Sequence, residues 1–274
     1  MTLEEFFDAI SQAKSELDFR QGEECLLYRG QSNNTWSLLP SLLRHSRPLA
    51  LEGGKIRDIE ATLFYEFQAR ARELHQRPLS GWDTLFFMRH HGVATRILDW
   101  TEVLGVALYF AVHGADGNAT PRVWLLNPYA LNEDSFKVRD LVAPQFLTDN
   151  RGKMRDYGLF LLKKYPRNFG WNHPVALYPL QLSDRLHAQR GYFTIHGEDI
   201  SPLEEISPNV VRFVDIPTNL IEKIKLHLDS LGISTYLLFP DLDGLARYLH
   251  EKYEIFQPPH VSVYGKGIRL RRDS

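Results

Sequence analysis

Apolar residues recur at helical spacing in several parts of the chain. The N-terminus opens with a capping box, Thr2 and Glu5, followed by apolar residues three or four positions apart, which predicts a helix. Residues 56–74 carry apolar side chains on one face and predict an amphipathic helix. Further helices are predicted over residues 83–88, 102–112, 218–231 and 242–253.

Short apolar runs bounded by Gly, Pro or polar residues predict strands. These runs are residues 24–28, 122–126, 192–196, 210–216 and 234–239. Strands and helices are interspersed without regular β-α-β units, which favours an α+β fold with a mixed sheet packed against several helices. The chain shows no internal repeat or linker, so we expect a single domain over residues 1–274.

The middle of the chain has the weakest pattern. Residues 127–179 are rich in Pro, Asn and Asp and show little periodicity. We expect loops and short helices there, which could form a lid.

Charge narrows the range of partners. The chain has 32 Lys and Arg against 34 Asp and Glu, so it has no global field to hold a polyanion. Basic residues cluster locally in residues 151–155, 163–167 and 266–272. We interpret these clusters as solvated, with nucleic-acid binding as the alternative.

Cys25 is the single cysteine, so an internal disulfide is impossible. This fits a reducing compartment, and the apolar surroundings of Cys25 indicate a small buried residue rather than a nucleophile. No apolar stretch approaches the roughly 20 residues that span a bilayer, and no signal pattern opens the chain. We therefore expect a cytoplasmic protein without a membrane segment.

Two polar segments interrupt the apolar pattern, and the first is Tyr28, Arg29, Gly30 and Gln31. An arginine between an apolar strand and a glycine has a fixed backbone, and its fork of donors suits a carboxylate or phosphate. The glycine lets a ligand or another backbone come close. The alternative is structural: Arg29 pairs with a buried aspartate.

The second segment covers residues 90–101 and lies between two predicted helices. Its polar and aromatic members are His90, His91, Thr95, Arg96, Asp99 and Trp100. Links between core elements often hold binding groups. Asp99 also fits a helix cap, or the structural partner of Arg29. Neither histidine has a second ligand at helical spacing, so we expect no metal site.

Four blocks of the sequence together resemble the FRG family, which takes its name from an aromatic-Arg-Gly signature. The blocks are residues 26–44, 88–112, 186–196 and 232–248. Within the second block, Ala94 stands where the family pattern leads us to expect proline, which changes the rigidity of the turn. The resemblance alone implies no defined reaction.

A looser analogy to ADP-ribosyltransferases implies a role for several of these residues. In that chemistry an arginine holds the phosphates of NAD, and aromatic residues stack on the nicotinamide. Arg29 fits the first role, and Tyr28, Trp100 or Tyr192 fits the second. We place His91 and Thr95 beside them as binding residues.

The same chemistry needs a carboxylate that holds the ribose as positive charge develops. The aligned position holds Gln189, and an amide cannot offset that charge. Glu198, nine residues further on, is a substitute candidate.

Three functions remain open, in this order. The first is an NAD-dependent ADP-ribosyltransferase or NAD glycohydrolase, with NAD as substrate and a macromolecular acceptor as an option. The second is a non-catalytic module that binds a nucleotide or another phosphorylated small molecule. The third is a nucleic-acid-binding or processing protein. A serine or cysteine hydrolase is disfavoured, because no Gly-x-Ser-x-Gly elbow is present.

Overall fold

Six short strands form the sheet of the protein. A computed structural model describes residues 1–46, 53–75, 79–114, 119–149, 151–161, 169–178, 184–253 and 255. The strands are β1 (Leu27–Gln31), β2 (Ile97–Thr101), β3 (Arg122–Leu126), β4 (Val175–Leu177), β5 (Gly191–Ile195) and β6 (Val211–Asp215).

Twelve α-helices surround this sheet in the described residues. The first six are α1 (Leu3–Ser15), α2 (Ser41–Ser46), α3 (Gly53–His75), α4 (Gly81–His90), α5 (Leu104–His113) and α6 (Pro128–Phe136). The others are α7 (Tyr157–Leu161), α8 (Asp184–Ala188), α9 (Leu203–Ile206), α10 (Ile221–Ser230), α11 (Thr235–Leu238) and α12 (Leu242–Lys252). The described part of the chain contains no helix that is both long and apolar enough to cross a membrane.

The strand order is β4-β5-β2-β1-β3-β6, and all neighbouring strands are antiparallel. The predicted α+β class is confirmed. The expected mixture of strand directions is limited to one isolated parallel bridge, between Val142 and Leu177. Antiparallel pairing fits the absence of regular β-α-β crossovers.

The two central strands are joined at one end only. β1 pairs with β2 through the single residue pair Tyr28 and Thr101, whereas β1 pairs with β3 along all five residues. The strands therefore part after Tyr28. The sheet consists of two three-stranded halves, β4-β5-β2 and β1-β3-β6, and a gap opens between them.

Each half has its own apolar core on one face of the sheet. Helices α1, α5 and α10 pack on β1, β3 and β6, whereas α3, α4 and α7 pack on β2, β4 and β5. On the other face a single cluster spans both halves, with Leu27, Leu98, Trp124 and Ala176 among its members. The back of the sheet is thus continuous, and the front is divided above the gap.

Local sequence signals predict the described helices of ten or more residues well. Thr2 and Glu5 form the expected capping box of α1, and α3 and α12 match the predicted helices closely. The strand expected at residues 234–239 is wrong. Ser234 instead caps α11 by accepting a hydrogen bond from the Leu237 amide (3.3 Å). Buried and exposed side chains do not alternate over residues 234–239, as they would in a strand with one buried face.

Two boundaries near the polar segments are also corrected. The first strand runs from Leu27 to Gln31, so Arg29 and Gly30 lie inside it rather than at its end. Residues 97–101, expected in a link between helices, form β2. They do so because Ile97 faces one apolar core, whereas Leu98 and Trp100 face the other.

The described parts of residues 127–179 supply core as well as loops. They contain α6, α7 and β4. Tyr157, Phe160, Phe169 and Trp171 are buried together against α3 and α4. These side chains stabilise the β4-β5-β2 half.

Candidate functional site

A cleft of about 1230 Å³ opens where β1 and β2 part. Its floor includes Val106 and Phe110 of α5, and Phe193 of β5. Helices α2, α4, α8 and α12 contribute side chains around it. None of the described residues of the 127–179 segment lines it.

Arg29 crosses the gap between the two strands. Its Nη1 donates a hydrogen bond to the backbone carbonyl of Asp99 at 2.7 Å. Because the backbone pairing of β1 with β2 has already ended at Tyr28 and Thr101, this guanidinium donates to a carbonyl that a backbone amide of a paired strand would otherwise satisfy. Burial lowers the pKa of Arg29 to about 10, so the side chain remains cationic at neutral pH. Its Nε is buried without a hydrogen-bond partner among the described residues.

The carboxylate of Asp99 is held by Arg89 of α4. Arg89 Nε lies 3.0 and 2.9 Å from the two carboxylate oxygens, and Nη2 binds the second oxygen as well. Burial alone would raise the pKa of Asp99, but the charge and hydrogen bonds of Arg89, with Arg29 nearby, lower it. Asp99 is therefore an anion, and its carboxylate links β2 to α4 through Arg89. The predicted pairing of Arg29 with Asp99 exists only through the backbone.

Arg44 of α2 adds a third cation on the same side of the cleft. Its side chain is exposed, and no carboxylate of the described residues lies within ion-pair distance of it. Partial burial and the nearby Arg89 lower its pKa. We call Arg29, Arg44 and Arg89 the strand wall.

The C-terminal elements form a second wall. The guanidinium carbons of Arg185 and Arg247 lie 4.4 and 4.5 Å from the centre of the Phe239 ring. His250 follows Arg247 by three residues on α12, and all four residues line the cleft. We call Arg185, Phe239, Arg247 and His250 the C-terminal wall.

The charge of the cleft differs from that of the chain. Among the described residues that line it, five arginines face two aspartates, Asp99 and Asp243, whereas the whole chain has a formal net charge of −2. An aromatic side chain, Trp36, is 47% exposed at the rim. Such a cleft favours an anion that carries a flat ring.

Most of the predicted site residues lie in this cleft. Its lining includes Tyr28, Arg29, Gly30, Gln31, His91, Asp99, Trp100 and Gln189. Trp100, however, is 2% exposed, and its indole donates to Thr194 Oγ1 at 3.0 Å on the continuous back of the sheet. Gln31 is also buried and accepts a hydrogen bond from the Trp124 indole at 2.8 Å.

Three predicted site residues lie elsewhere. Thr95 is buried, and Tyr192 donates to Glu102 at 3.4 Å on the back of the sheet. Glu198 pairs with Arg57 at 2.8 Å and also accepts from the Phe169 amide. Sequence distance placed Glu198 near Gln189, but β5 runs between them and carries Glu198 away from the cleft.

Gln189 lines the cleft, with its amide already engaged. Its side-chain Nε2 donates to the Leu238 backbone carbonyl at 3.0 Å, and the backbone carbonyl of Gln189 accepts from Thr101 Oγ1 at 2.7 Å. Neither Asp99 nor Thr101 is the N-cap of α5, since that position is Val103 and has no side-chain cap. Thr101 instead accepts from the Val103 amide at 3.1 Å.

Gly30 is required by packing rather than by a ligand. A Cβ at this position would lie 1.8 Å from the Ala107 carbonyl oxygen of α5. The sequence left open whether a ligand or a backbone approaches this glycine, and the backbone of α5 does so. This close contact fixes α5, and with it Phe110, beside Arg29.

The other cationic residues of the cleft were not anticipated. Arg44, Arg89 and Arg247 lie within the first, second and fourth blocks and Arg185 lies just before the third, but no sequence pattern singles them out as cleft residues. The basic runs that the sequence does show give no residue of the cleft among the described residues. Residues 163–167 and 266–272 are outside the described residues, and Arg155 of the third run pairs with Asp149 at 3.0 Å. No local signal marks an arginine that enters a cleft through tertiary packing.

Neither a thiol nor a metal centre is evident at this site. Cys25 is half-buried outside the cleft, and burial raises the pKa of its thiol to about 11. The described part of the chain contains no group of three or more His, Cys, Asp or Glu residues arranged to hold a metal ion.

The protein thus combines an α+β fold with a cationic cleft at the gap between the two halves of its sheet. Residues 24–119 match the family model described as FRG domain. This match covers about a third of the chain and supports the resemblance to the FRG family over that segment. The search of curated proteins and the search of solved structures found no match to the chain.

The matched segment ends before the second wall. It contains Arg29, Arg44, Arg89 and Asp99, but not Arg185 or Arg247. The resemblance expected over residues 186–196 and 232–248 stays a prediction.

Proposed function

We propose that the cleft binds a phosphorylated small molecule of nucleotide size, with Arg29 and Arg44 as its anion-recognising residues. The observation that carries this proposal is the state of Arg29. The side chain is charged and half-buried in the cleft lining, and its Nε is a buried atom that has no partner among the described residues. An unsatisfied buried donor costs about 1–3 kcal/mol, and more when it is charged. A phosphate oxygen is the acceptor that best offsets this cost.

The size of the cleft supports the same ligand class. Its volume of about 1230 Å³ exceeds the roughly 300–1000 Å³ that is typical of sites for drug-sized ligands. A mononucleotide or a dinucleotide such as NAD therefore fits. Trp36 offers a stacking surface for its base.

Arg44 provides a clean test of binding because its truncation leaves no hydrogen bond of the described residues broken. Arg44→Ala is expected to weaken binding of AMP or NAD by about tenfold or more, since a hydrogen bond to a charged group contributes about 1.5–3 kcal/mol. Isothermal titration with each nucleotide measures this. Arg20→Ala is the matched control, because Arg20 pairs with Glu133 on the surface at 3.0 Å and does not line the cleft. The absence of wild-type binding to either nucleotide contradicts the proposal.

Binding is favoured over turnover by the positions of the carboxylates. An ADP-ribosyl transfer needs a carboxylate near the ribose, and the described cleft offers only Asp99 and Asp243. Arg89 holds Asp99, and Asp243 lies in the first turn of α12. Gln189 and Glu198 are engaged with Leu238 and Arg57.

We accordingly expect NAD to bind without release of nicotinamide. Purified protein would be incubated with nicotinamide-labelled NAD, alone and with cell lysate as a source of acceptors, and free nicotinamide measured. Release by the wild type that disappears in Arg29→Ala would contradict a purely binding role. It would instead establish the NAD-dependent transferase or glycohydrolase.

A further inference from the structure

The C-terminal wall contains two polar side chains, Arg247 and His250, with nitrogen atoms that the described residues do not fully satisfy. Nδ1 of His250 is buried and has no hydrogen-bond partner among the described residues. Arg247 Nε donates to the backbone carbonyl of Asp243 at 3.3 Å, and no carboxylate of the described residues lies within ion-pair distance of its guanidinium. Buried polar groups in folded proteins are nearly always satisfied, so His250 requires an explanation.

Phe239 brings two like charges close together. The guanidinium carbons of Arg185 and Arg247 both lie within 4.5 Å of one ring centre, so they are at most about 9 Å apart. The ring attracts each cation, but it cannot cancel their mutual repulsion. An anion bound beside Phe239 would reduce this repulsion.

The two walls are parts of one cleft and are built by different segments. The strand wall comes from β1, α2 and α4, and the C-terminal wall from α8, α12 and the residue that follows α11. Each wall has one buried polar atom without a partner, Arg29 Nε in the first and His250 Nδ1 in the second. A ligand with two phosphate groups can satisfy both.

We propose that the C-terminal wall is a second anion subsite, and that the ligand carries two phosphate groups, one for each wall. This inference rests on the proposed function of the cleft. Arg247 and His250 hydrogen-bond the second phosphate, and Arg185 contributes charge above Phe239. Nucleoside bisphosphates and nucleotides with a diphosphate group are the chemical class that fits.

Isothermal titration with AMP, ADP and adenosine 3′,5′-bisphosphate at fixed ionic strength tests the subsite. The wild type is expected to bind at least one of the two doubly phosphorylated probes about tenfold or more tightly than AMP. Arg247→Ala is expected to remove this advantage and to leave the affinity for AMP within about twofold. Arg44→Ala is expected to weaken all three probes.

Lys252→Ala is the matched control, since it removes one positive charge from the same helix outside the cleft. It is expected to preserve the ratio of affinities. Melting temperatures would show that each variant is folded, and His250→Ala offers a second test if Arg247→Ala does not fold.

The outcomes separate the two proposals. If AMP binds and Arg247→Ala leaves the ratio unchanged, or lowers all affinities equally, the second subsite is overturned while the proposed function stands. An equal affinity of the wild type for AMP and both doubly phosphorylated probes also overturns the subsite. If no probe binds the wild type, the proposed function fails, and the subsite with it.

Discussion

Replacing Glu60 by glutamine is expected to lower the free energy of unfolding by about 3–5 kcal/mol. Glu60 and Arg96 are 2% and 4% exposed and form a bidentate ion pair that joins α3 to the residue before β2. Tyr157 donates a further short hydrogen bond to Glu60. The substitution leaves the Arg96 charge buried without its anion, because its other acceptors are the neutral carbonyls of His196 and Gly197.

Urea denaturation followed by circular dichroism measures this loss. The matched control is Glu66→Gln on the same helix, because Glu66 pairs with Arg70 at 3.3 Å with both side chains largely exposed. Such surface pairs contribute about 0–1 kcal/mol. The double variant Glu60→Leu with Arg96→Met is expected to recover most of the stability, since a buried pair is often replaceable by apolar residues. Equal losses for Glu60→Gln and Glu66→Gln would show that the buried pair has no special role.

Gly30→Ala is expected to cost about 3 kcal/mol of stability, at the upper end for overpacking, because its new Cβ meets backbone rather than a side chain. That carbon would lie 1.8 Å from the Ala107 carbonyl oxygen and 2.7 Å from the Ala111 amide nitrogen. Helix α5 must therefore move away from β1. Since Phe110 of α5 and Arg29 both line the cleft, ligand affinity is expected to fall as well.

Gly22→Ala is the control for this substitution. Gly22 has a φ of +86° and no atom within 4 Å of an added Cβ, so only backbone strain remains, about 1 kcal/mol. Chemical denaturation of both variants compares the two costs. A loss for Gly30→Ala no larger than that for Gly22→Ala would mean that α5 does not restrict this position.

These two predictions separate the residues of the FRG-matched segment by their physical role. Gly30 and Arg96 stabilise the fold, one through close backbone contact and the other through a buried ion pair. Arg29 lies between them in kind, since it closes the gap with one nitrogen and keeps another unsatisfied. The matched segment therefore holds structural residues together with Arg29, for which we propose anion recognition.

The sequence alone predicts several features because they depend on neighbouring residues. Capping boxes and apolar stripes define α1, α3 and α12, since their hydrogen bonds and buried faces lie within a few turns. The irregular order of helices and strands indicates the α+β class. Arg29, which lies between an apolar run and a glycine, is also evident as an anion-binding candidate from its immediate neighbours.

Only the tertiary structure decides how the cleft is assembled. The partner of the Asp99 carboxylate is Arg89 rather than Arg29, because α4 turns that side chain toward β2 while Arg29 reaches the backbone. Arg44 and Arg247 are about 200 positions apart in the sequence, yet both line the cleft that opens where β1 and β2 separate. Net charge adds up along the chain and is close to zero here, whereas the field in a cleft depends on which side chains the fold brings together. For that physical reason the sequence indicates one anion-binding candidate, whereas the folded chain places four more arginines in the lining of the same cleft.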